Sequence, residues 1–165
     1  MAFLVVTHSE AETLAFGRCI GAGLRAPLAV GLCGTLGAGK TRLVQGIVEG
    51  LGAERISVTS PTFGLWQTYP TRPILHHLDA YRIKTEDEFW ELGVEEWFAT
   101  PTLVVVEWAD RFPDILPDDS LWIEVEVTGE NQRQWRLDAH RKNSLESLAT
   151  IQASLPAALR SSSSR

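Results

Sequence analysis

The chain has 165 residues, of which 44% are hydrophobic and 22% are charged, a balance typical of globular proteins. Its formal net charge of −6 argues against a large basic face that would bind nucleic acid unaided. Cys19 and Cys33 form no CxxC pair and no cluster with metal-ligand spacing, so we interpret them as small buried side chains.

No targeting or membrane segment is evident in the sequence. The first residues lack the basic region of a signal peptide, and no apolar run approaches the roughly 20 residues that span a bilayer. We therefore expect a cytoplasmic protein without a membrane partner. We also expect one domain over residues 1–159 and a disordered tail over residues 160–165.

The first part of the chain predicts a helix, a buried strand and a second helix. Ser9 and Glu12 have the spacing of a capping box, which predicts a helix start, and Pro27 follows the end of that helix. The continuous apolar run 28–33 predicts a strand that is buried on both faces. After a glycine-rich loop, apolar residues at helical spacing predict a helix over residues 41–51.

The rest of the chain predicts strands, with a short helix between them. Strands are expected at residues 63–69, 74–78, 103–106, 121–127 and 134–139. A second capping box predicts a short helix over residues 85–92, and residues 144–159 predict a C-terminal helix. This order indicates an α/β fold in which helices flank a central, mostly parallel sheet with an antiparallel edge.

The glycine-rich loop fits the pattern G-x-x-x-x-G-K-[ST] and lies between a predicted strand and a predicted helix. Glycines at this spacing let successive backbone N–H groups point at phosphate oxygens, and the start of the following helix adds positive potential. Lys40 would supply a charge to the β- and γ-phosphates, and Thr41 a hydroxyl to Mg²⁺. The pattern predicts a P-loop NTPase fold whose nucleotide contacts are Thr35, Leu36, Gly37, Ala38, Gly39, Lys40 and Thr41.

Carboxylates elsewhere in the chain are candidates for the metal side of this site. A P-loop NTPase needs an acid at the end of a neighbouring buried strand, and Glu107 ends the strand predicted at residues 103–106. Glu107 is therefore the predicted second Mg²⁺ ligand, and the alternative is a solvated acid at a strand exit. Asp79 could orient the attacking water, whereas the nearby His77 could be a structural histidine. Arg82 could neutralise phosphate charge or pair with a carboxylate, or it could be an ordinary surface cation.

The type of NTPase is narrowed by motifs that are missing. The only asparagines, Asn131 and Asn143, do not begin the Asn-Lys-x-Asp motif by which GTPases read their base. The arginines are too scattered to indicate the lid of a small-molecule kinase. A compact ATPase without an evident acceptor site is what the residues themselves support.

Four segments together resemble the TsaE (YjeE) family, the bacterial ATPases required to make threonylcarbamoyladenosine in tRNA. They are LGAGKT at 36–41, SPTF at 60–63, HLDAYR at 77–82 and VEW at 106–108. The resemblance covers roughly residues 8–140. It departs from the family pattern at Thr35, where an acid is common, and at Arg42, where a second threonine is frequent.

The resemblance implies roles for individual residues. It implies catalytic roles for Lys40, Asp79 and Glu107, and it makes Thr41 and Glu107 the ligands of Mg²⁺. It places residues 60–62 in a mobile segment that senses the γ-phosphate. Further contacts with ATP are implied at Glu10, Asp79, Trp108 and Arg133.

The resemblance also implies partners. ATP binding and hydrolysis would drive the cycle of the TsaB–TsaD transferase complex, which modifies adenosine 37 of tRNAs that read ANN codons, and tRNA would be reached through that complex. One alternative is a small-molecule kinase that shares only the phosphate loop. Another is a nucleotide-gated binding module, in which loss of Asp79 would leave assembly and function intact.

Overall fold

The computed structural model describes residues 1–53, 56–61 and 64–160, and these form an α/β fold. The strands are β1 Ala2–Thr7, β2 Leu28–Gly34, β3 Trp66–Tyr69, β4 Leu75–Asp79, β5 Leu103–Glu107, β6 Ser120–Val127 and β7 Arg133–Asp138. The α-helices are α1 Glu10–Gly23, α2 Lys40–Gly50, α3 Glu86–Glu91, α4 Val94–Ala99 and α5 Lys142–Ser154. Short 3-10 turns lie at Ala80–Arg82, Ala109–Arg111, Pro113–Ile115 and Ala157–Leu159.

The strands form a single mixed sheet in the order β1-β7-β6-β2-β5-β4-β3. The central strands β6, β2, β5 and β4 run parallel, whereas β1, β7 and β3 pair antiparallel with their neighbours. The predicted parallel centre is confirmed, and antiparallel pairing is found at both edges rather than at one. Because parallel strands end at the same side of a sheet, the residues that follow β2, β4 and β5 meet there.

Helices cover both faces of this sheet. On one face, buried residues of α1, α2 and α5 pack against apolar side chains of the central strands, including Val30, Val105 and Ile123. On the other face, Phe89 of α3 and Val94 of α4 pack against the opposite set of strand residues. The alternation of strand side chains between two buried faces explains why β2 and β5 read as continuous apolar runs.

Helices α1 and α2 approach each other at backbone distance through glycines. A Cβ atom added at Gly17 would lie 2.5 Å from the carbonyl oxygen of Leu43, and one at Gly46 would lie 2.4 Å from that of Leu14. Larger side chains would therefore force the helices apart. This contact fixes the position of α2, whose first turn closes the phosphate loop.

Two elements were not predicted, and one helix ends early. Strand β1 is not among the predicted strands, and α4 is not among the predicted helices because Gly93 precedes it without a side-chain cap. The prediction of a C-terminal helix to residue 159 is wrong at its end, since α5 stops at Ser154. Leu155 precedes Pro156, and a residue before proline disfavours the helical region.

Both capping boxes start helices, but with a shifted return contact. The hydroxyls of Ser9 and Thr85 accept hydrogen bonds from the backbone N–H groups of Glu12 and Glu88. The glutamate carboxylates accept from the residue before each cap, at 2.7 Å from His8 N and 2.9 Å from Lys84 N. The predicted helix starts are therefore confirmed, with the carboxylate reaching one residue further back than expected.

The described part of the chain ends at Arg160. Arg160 forms an isolated bridge with Val5, so the folded chain extends through that residue, while residues 161–165 of the predicted tail lie outside the described ranges. The predicted strand start at residue 63 also lies outside them.

Cys19 and Cys33 are free thiols and only half-buried. Within the described ranges, no helix has the length and apolar character needed to cross a membrane.

Candidate functional site

The phosphate loop joins the end of β2 to the first turn of α2. Gly37 and Gly39 have φ angles of 76° and 102°, in the left-handed region that favours glycine. A Cβ atom at either position would meet nothing within 4 Å, so backbone conformation rather than space requires glycine there. Gly39 precedes α2 without a side-chain cap, which leaves the N–H groups of the first helical turn available to an anion.

Lys40 lies buried against the loop that it belongs to. Its Nζ donates hydrogen bonds to the carbonyl oxygens of Gly34 at 2.7 Å and Thr35 at 2.9 Å, and it lies 3.8 Å from the ring centroid of Trp108. Burial lowers the pKa of the Lys40 ammonium, while nearby carboxylates, Glu107 first among them, oppose that shift. An entering phosphate group would offer the ammonium a stronger partner than neutral carbonyl groups.

Thr41 and Glu107 lie in contact at the end of β5. The Thr41 hydroxyl donates to Glu107 Oε1 at 3.1 Å, and the Glu107 side chain is 4% exposed. Hydroxyl and carboxylate oxygens are ligands that Mg²⁺ accepts, and such sites are usually completed by phosphate oxygens and water. Within the described part of the chain, no group of three or more His, Cys, Asp or Glu side chains is arranged to hold a metal ion. Thr41 and Glu107 are thus the oxygen donors of this site that could hold a cation.

Glu107 has a second partner that the sequence did not reveal. The Nε2 atom of His77 lies 2.8 Å from Glu107 Oε1, and the His77 side chain is fully buried. Strand alternation contains the signal for this contact. In the parallel pairing of β4 with β5, Asp79 is opposite Glu107, so His77, two residues earlier, points to the same face as both.

Asp79 is buried beside this group and holds the loop before β3. Its Oδ2 atom accepts a hydrogen bond from the Ser60 hydroxyl at 2.9 Å, and its Oδ1 atom accepts from Tyr81 N at 2.9 Å. The carboxylate thus ties residue 60 to the end of β4. Thr62, which completes the segment predicted to sense the γ-phosphate, lies outside the described residues.

Trp108 follows Glu107 in an uncommon backbone conformation. Its φ and ψ angles of 60° and 33° are left-handed, and its N–H donates to the Leu32 carbonyl at 2.8 Å. Few residues other than glycine adopt this region, and those that do often lie at functional sites. The Trp108 ring lies 4.9 Å from that of Tyr81 and shields Lys40 from solvent.

The remaining predicted contacts lie around the rim of the loop. Arg133 donates from Nε to the Ala38 carbonyl at 3.0 Å, so β7 does reach the phosphate loop. Glu10 at the start of α1 pairs with Arg42 of α2 at 2.8 Å. Leu36 is 77% exposed at the tip of the loop. Arg42, one of the two departures from the family pattern, thus contacts Glu10, for which the resemblance implies a contact with ATP.

A groove of about 1030 Å³ opens on the sheet face away from α2 and reaches Trp108. It contacts the phosphate loop only through its first residues, Gly34 and Thr35. Its floor and rim include Trp122, Glu124, Glu126, Arg136 and Asp138. Lys40, Thr41 and Glu107 are not among the residues that line it.

Comparisons with known proteins agree on one family. The family model described as threonylcarbamoyl adenosine biosynthesis protein TsaE matches residues 7–135. The tRNA threonylcarbamoyladenosine biosynthesis protein TsaE of Treponema pallidum is 34% identical over 129 residues, covering 78% of this chain and 95% of that protein. The Bacillus subtilis protein of that name is 37% identical over 129 residues, covering 78% and 80%.

A solved structure shows the same fold. The crystal structure of Bacillus subtilis YdiB matches with a TM-score of 0.77 and 26% identity, over 93% of this chain and 95% of that chain. The matched region of the family model contains Lys40, Asp79, Glu107 and Arg133. The P-loop NTPase fold and its order of strands are therefore shared along most of the chain.

Proposed function

The chain belongs to the TsaE family of threonylcarbamoyl adenosine biosynthesis proteins, and from that premise we propose that it binds and hydrolyses ATP with Mg²⁺. In this proposal, hydrolysis drives the cycle of the TsaB–TsaD complex, which forms the threonylcarbamoyl group on adenosine 37 of tRNAs that read ANN codons. The protein acts in the cytoplasm as one domain.

One observation carries the proposal. At the end of the parallel sheet, the Thr41 hydroxyl lies 3.1 Å from the buried Glu107 carboxylate, directly beside the glycine-rich loop. A phosphate-binding loop followed by a hydroxyl that faces an acid on the neighbouring strand is the arrangement that holds a nucleoside triphosphate with its cation.

We assign the steps of hydrolysis to side chains that surround the loop. Lys40 exchanges its carbonyl partners for β- and γ-phosphate oxygens, and Thr41 and Glu107 hold the cation. A cation held there would supply positive charge to the phosphate oxygens as negative charge develops on them. Asp79 orients the attacking water, since its buried carboxylate lies beside Glu107 at the end of β4. Glu10, Trp108 and Arg133 line the rest of the nucleotide site.

A switch follows from the Ser60–Asp79 contact. The hydroxyl of Ser60 is held at 2.9 Å by the carboxylate that we assign to the attacking water. The attacking water would compete with the Ser60 hydroxyl for Asp79, so residue 60 changes its contacts with each nucleotide state. The TsaB–TsaD complex would sense that change. The net charge of −6 fits a protein that reaches tRNA through this complex.

The proposal is tested by reconstituting tRNA threonylcarbamoylation from purified TsaB, TsaD, tRNA, Mg²⁺ and ATP. Product should continue over many turnovers with this chain and stop near one round without it. Glu107→Gln should fail to sustain turnover, because it removes the charge that we assign to the cation. Glu146→Gln makes the same change at an exposed position of α5 and should behave as the wild type.

Other outcomes would overturn the proposal in different ways. Equal product with and without the chain would refute the role in the transferase cycle. Phosphate transfer to a small acceptor without the partners would indicate a kinase. If Asp79→Ala sustained full multiple-turnover modification, hydrolysis would be incidental and the chain would be a nucleotide-gated binding module.

A further inference from the structure

We propose that His77 is a positioning residue that holds the Glu107 carboxylate in place for the cation of the bound nucleotide. This inference rests on the proposed function, because it concerns the same cation. His77 lies in the middle of β4, and its side chain is fully buried. Its Nε2 atom lies 2.8 Å from Glu107 Oε1.

The chemistry of the pair sets the direction of this hydrogen bond. An ionised carboxylate can only accept, so Nε2 carries the hydrogen and donates it to Oε1. The other ring nitrogen, Nδ1, is buried and has no hydrogen-bond partner among residues 1–53, 56–61 and 64–160. An apolar ring would fill the same space without an unpaired polar atom. The needs of folding therefore do not explain an imidazole at this position, whereas its hydrogen bond with Glu107 does explain it.

Packing prevents the imidazole from turning away from Glu107. The Tyr69 ring on β3 stacks on it with a centroid separation of 6.3 Å, and β5 pairs with β4 along the other side, with Val105 opposite His77. Three strands thus hold the donor at a fixed position. A buried hydrogen bond from a fixed donor restricts the carboxylate more than an exposed one would.

The contact also gives the two carboxylate oxygens of Glu107 different hydrogen-bond partners. Oε1 accepts from both His77 and Thr41, at 2.8 Å and 3.1 Å, while Oε2 lies 3.4 Å from the Thr41 hydroxyl. With Oε1 anchored, Oε2 remains directed towards the hydroxyl with which it would share the cation. Hydrogen bonds that orient metal ligands in this way commonly contribute strongly to metal affinity.

The test measures Mn²⁺ affinity by electron paramagnetic resonance, with the full chain and saturating non-hydrolysable ATP analogue. His77→Phe keeps an aromatic ring against Tyr69 but removes the donor, and should weaken Mn²⁺ binding by roughly 10- to 100-fold. His77→Gln offers an amide N–H near the same position and should restore much of the affinity. Affinity for the analogue without metal should stay at the wild-type value in both variants. A merely structural role would lower thermal stability without this selective loss.

A double-mutant cycle shows whether His77 acts through Glu107. His77→Phe should weaken Mn²⁺ binding in the wild-type background and cause no further loss in the Glu107→Gln background. An equal loss in both backgrounds would overturn the inference, because the histidine would then act by another route.

A measurement on the wild-type chain tests the inference without requiring that any variant folds. The buried Nε2–H of His77 should give a proton resonance protected from exchange, which should shift when Mg²⁺ is added to the nucleotide complex. No shift on addition of Mg²⁺ would overturn the inference, as would unchanged Mn²⁺ affinity in folded His77→Phe. If the wild type itself binds no Mn²⁺ with nucleotide, the proposed function fails first and this inference with it.

Discussion

The phosphate loop lies between two regions that are held together by opposite kinds of contact. On one side, α1 and α2 meet through glycines so closely that a single Cβ atom would lie 2.4 Å from a backbone oxygen. On the other side, the ends of β4 and β5 bury the polar side chains of His77, Asp79 and Glu107, with one hydrogen bond between His77 and Glu107 and another from Ser60 to Asp79. Close packing positions the loop, while the buried polar group supplies chemical contacts.

These two kinds of contact imply that a substitution can change the folding stability and the chemistry of the site to different extents. Buried polar groups at a site commonly cost folding free energy that the surrounding packing must offset. Substitutions in the helix pair should therefore lower the free energy of unfolding more than they lower turnover in molecules that still fold. Substitutions at the strand ends and in the loop should do the reverse.

The largest difference between the effect on turnover and the effect on stability is expected from Lys40→Ala. Loss of the ammonium that we assign to the β- and γ-phosphates should lower kcat for ATP hydrolysis by about 100- to 1000-fold, as for other groups that stabilise transition-state charge. The thermal midpoint should stay close to that of the wild type, because Lys40 is buried at a cost that lowers its pKa. Phosphate release and thermal unfolding measure the two effects.

Lys142→Ala is the matched control for that substitution, since it removes an exposed lysine at the start of α5. It should leave both quantities unchanged. Wild-type turnover in Lys40→Ala would contradict the assignment of this lysine to the phosphates.

The helix pair should give the opposite result in Gly46→Ala. Helical propensity alone would stabilise the variant by up to about 1 kcal/mol. The new Cβ atom would meet backbone atoms of α1 at 2.4 Å and 2.8 Å, and we expect this overpacking to lower the free energy of unfolding by about 1–3 kcal/mol. Urea denaturation measures the sign directly.

Gly129→Ala provides the comparison for this glycine, because it lies in the turn between β6 and β7 with its nearest neighbour, Gln132 Cβ, at 3.2 Å. Its effect should stay within about 0.5 kcal/mol. Stabilisation of Gly46→Ala would show that the helix pair tolerates expansion, and the contrast between the two regions would weaken.

Trp108 should report when the site is occupied. Its ring lies 3.8 Å from the Lys40 ammonium, a contact of the cation–π type worth roughly 0.5–2 kcal/mol. ATP with Mg²⁺ should draw Lys40 from the ring and change the tryptophan emission. Trp108→Phe should lose that change, whereas Trp90→Phe, which alters a ring packed on Phe89 of α3, should keep it. An equal response in both variants would place the reporter elsewhere.

The smallest effect concerns the two thiols, Cys19 in α1 and Cys33 in β2. Burial and the Asp110 charge raise the pKa of Cys33 to about 12, whereas burial alone raises that of Cys19 in α1. Between pH 9.0 and 12 the unfolded chain loses the Cys33 proton while the folded chain keeps it, so the free energy of unfolding should fall as pH rises.

Asp110→Asn should speed alkylation of Cys33 by iodoacetamide and leave Cys19 unchanged, because only Cys33 is affected by that carboxylate. Mass spectrometry of the modified peptides separates the two rates. Equal acceleration of both thiols would indicate general loosening of the fold.

Local signals explain why much of the fold was predictable. The buried strands β2 and β5, the loop between β2 and α2, and the helix starts at Ser9 and Thr85 each depend on residues close together in the chain. Strand β1 was not predictable in this way, since it pairs with β7, which follows more than 100 residues later. Helix α4 offers no capping side chain, and its start shows only in the left-handed Gly93.

Some contacts in the candidate site also follow from local patterns, whereas others depend on residues far apart in the chain. Lys40 and Thr41 follow from the loop pattern, and Glu107 from its place at the end of an apolar run. The bond between His77 and Glu107 joins residues 30 positions apart and exists only because β4 and β5 pair in parallel register. The contacts of Arg133 with the loop and of Glu10 with Arg42 likewise depend on how distant elements pack.

Local sequence patterns are enough to identify the chemical groups and the bends of the chain, since glycine freedom, proline restriction and apolar alternation act over a few residues. Which of these groups come into contact depends on the tertiary structure. Strand register and the approach of α1 to α2 place Lys40, Thr41, His77 and Glu107 around one end of the sheet. Those distances depend on contacts between segments far apart in the chain, which no local pattern contains.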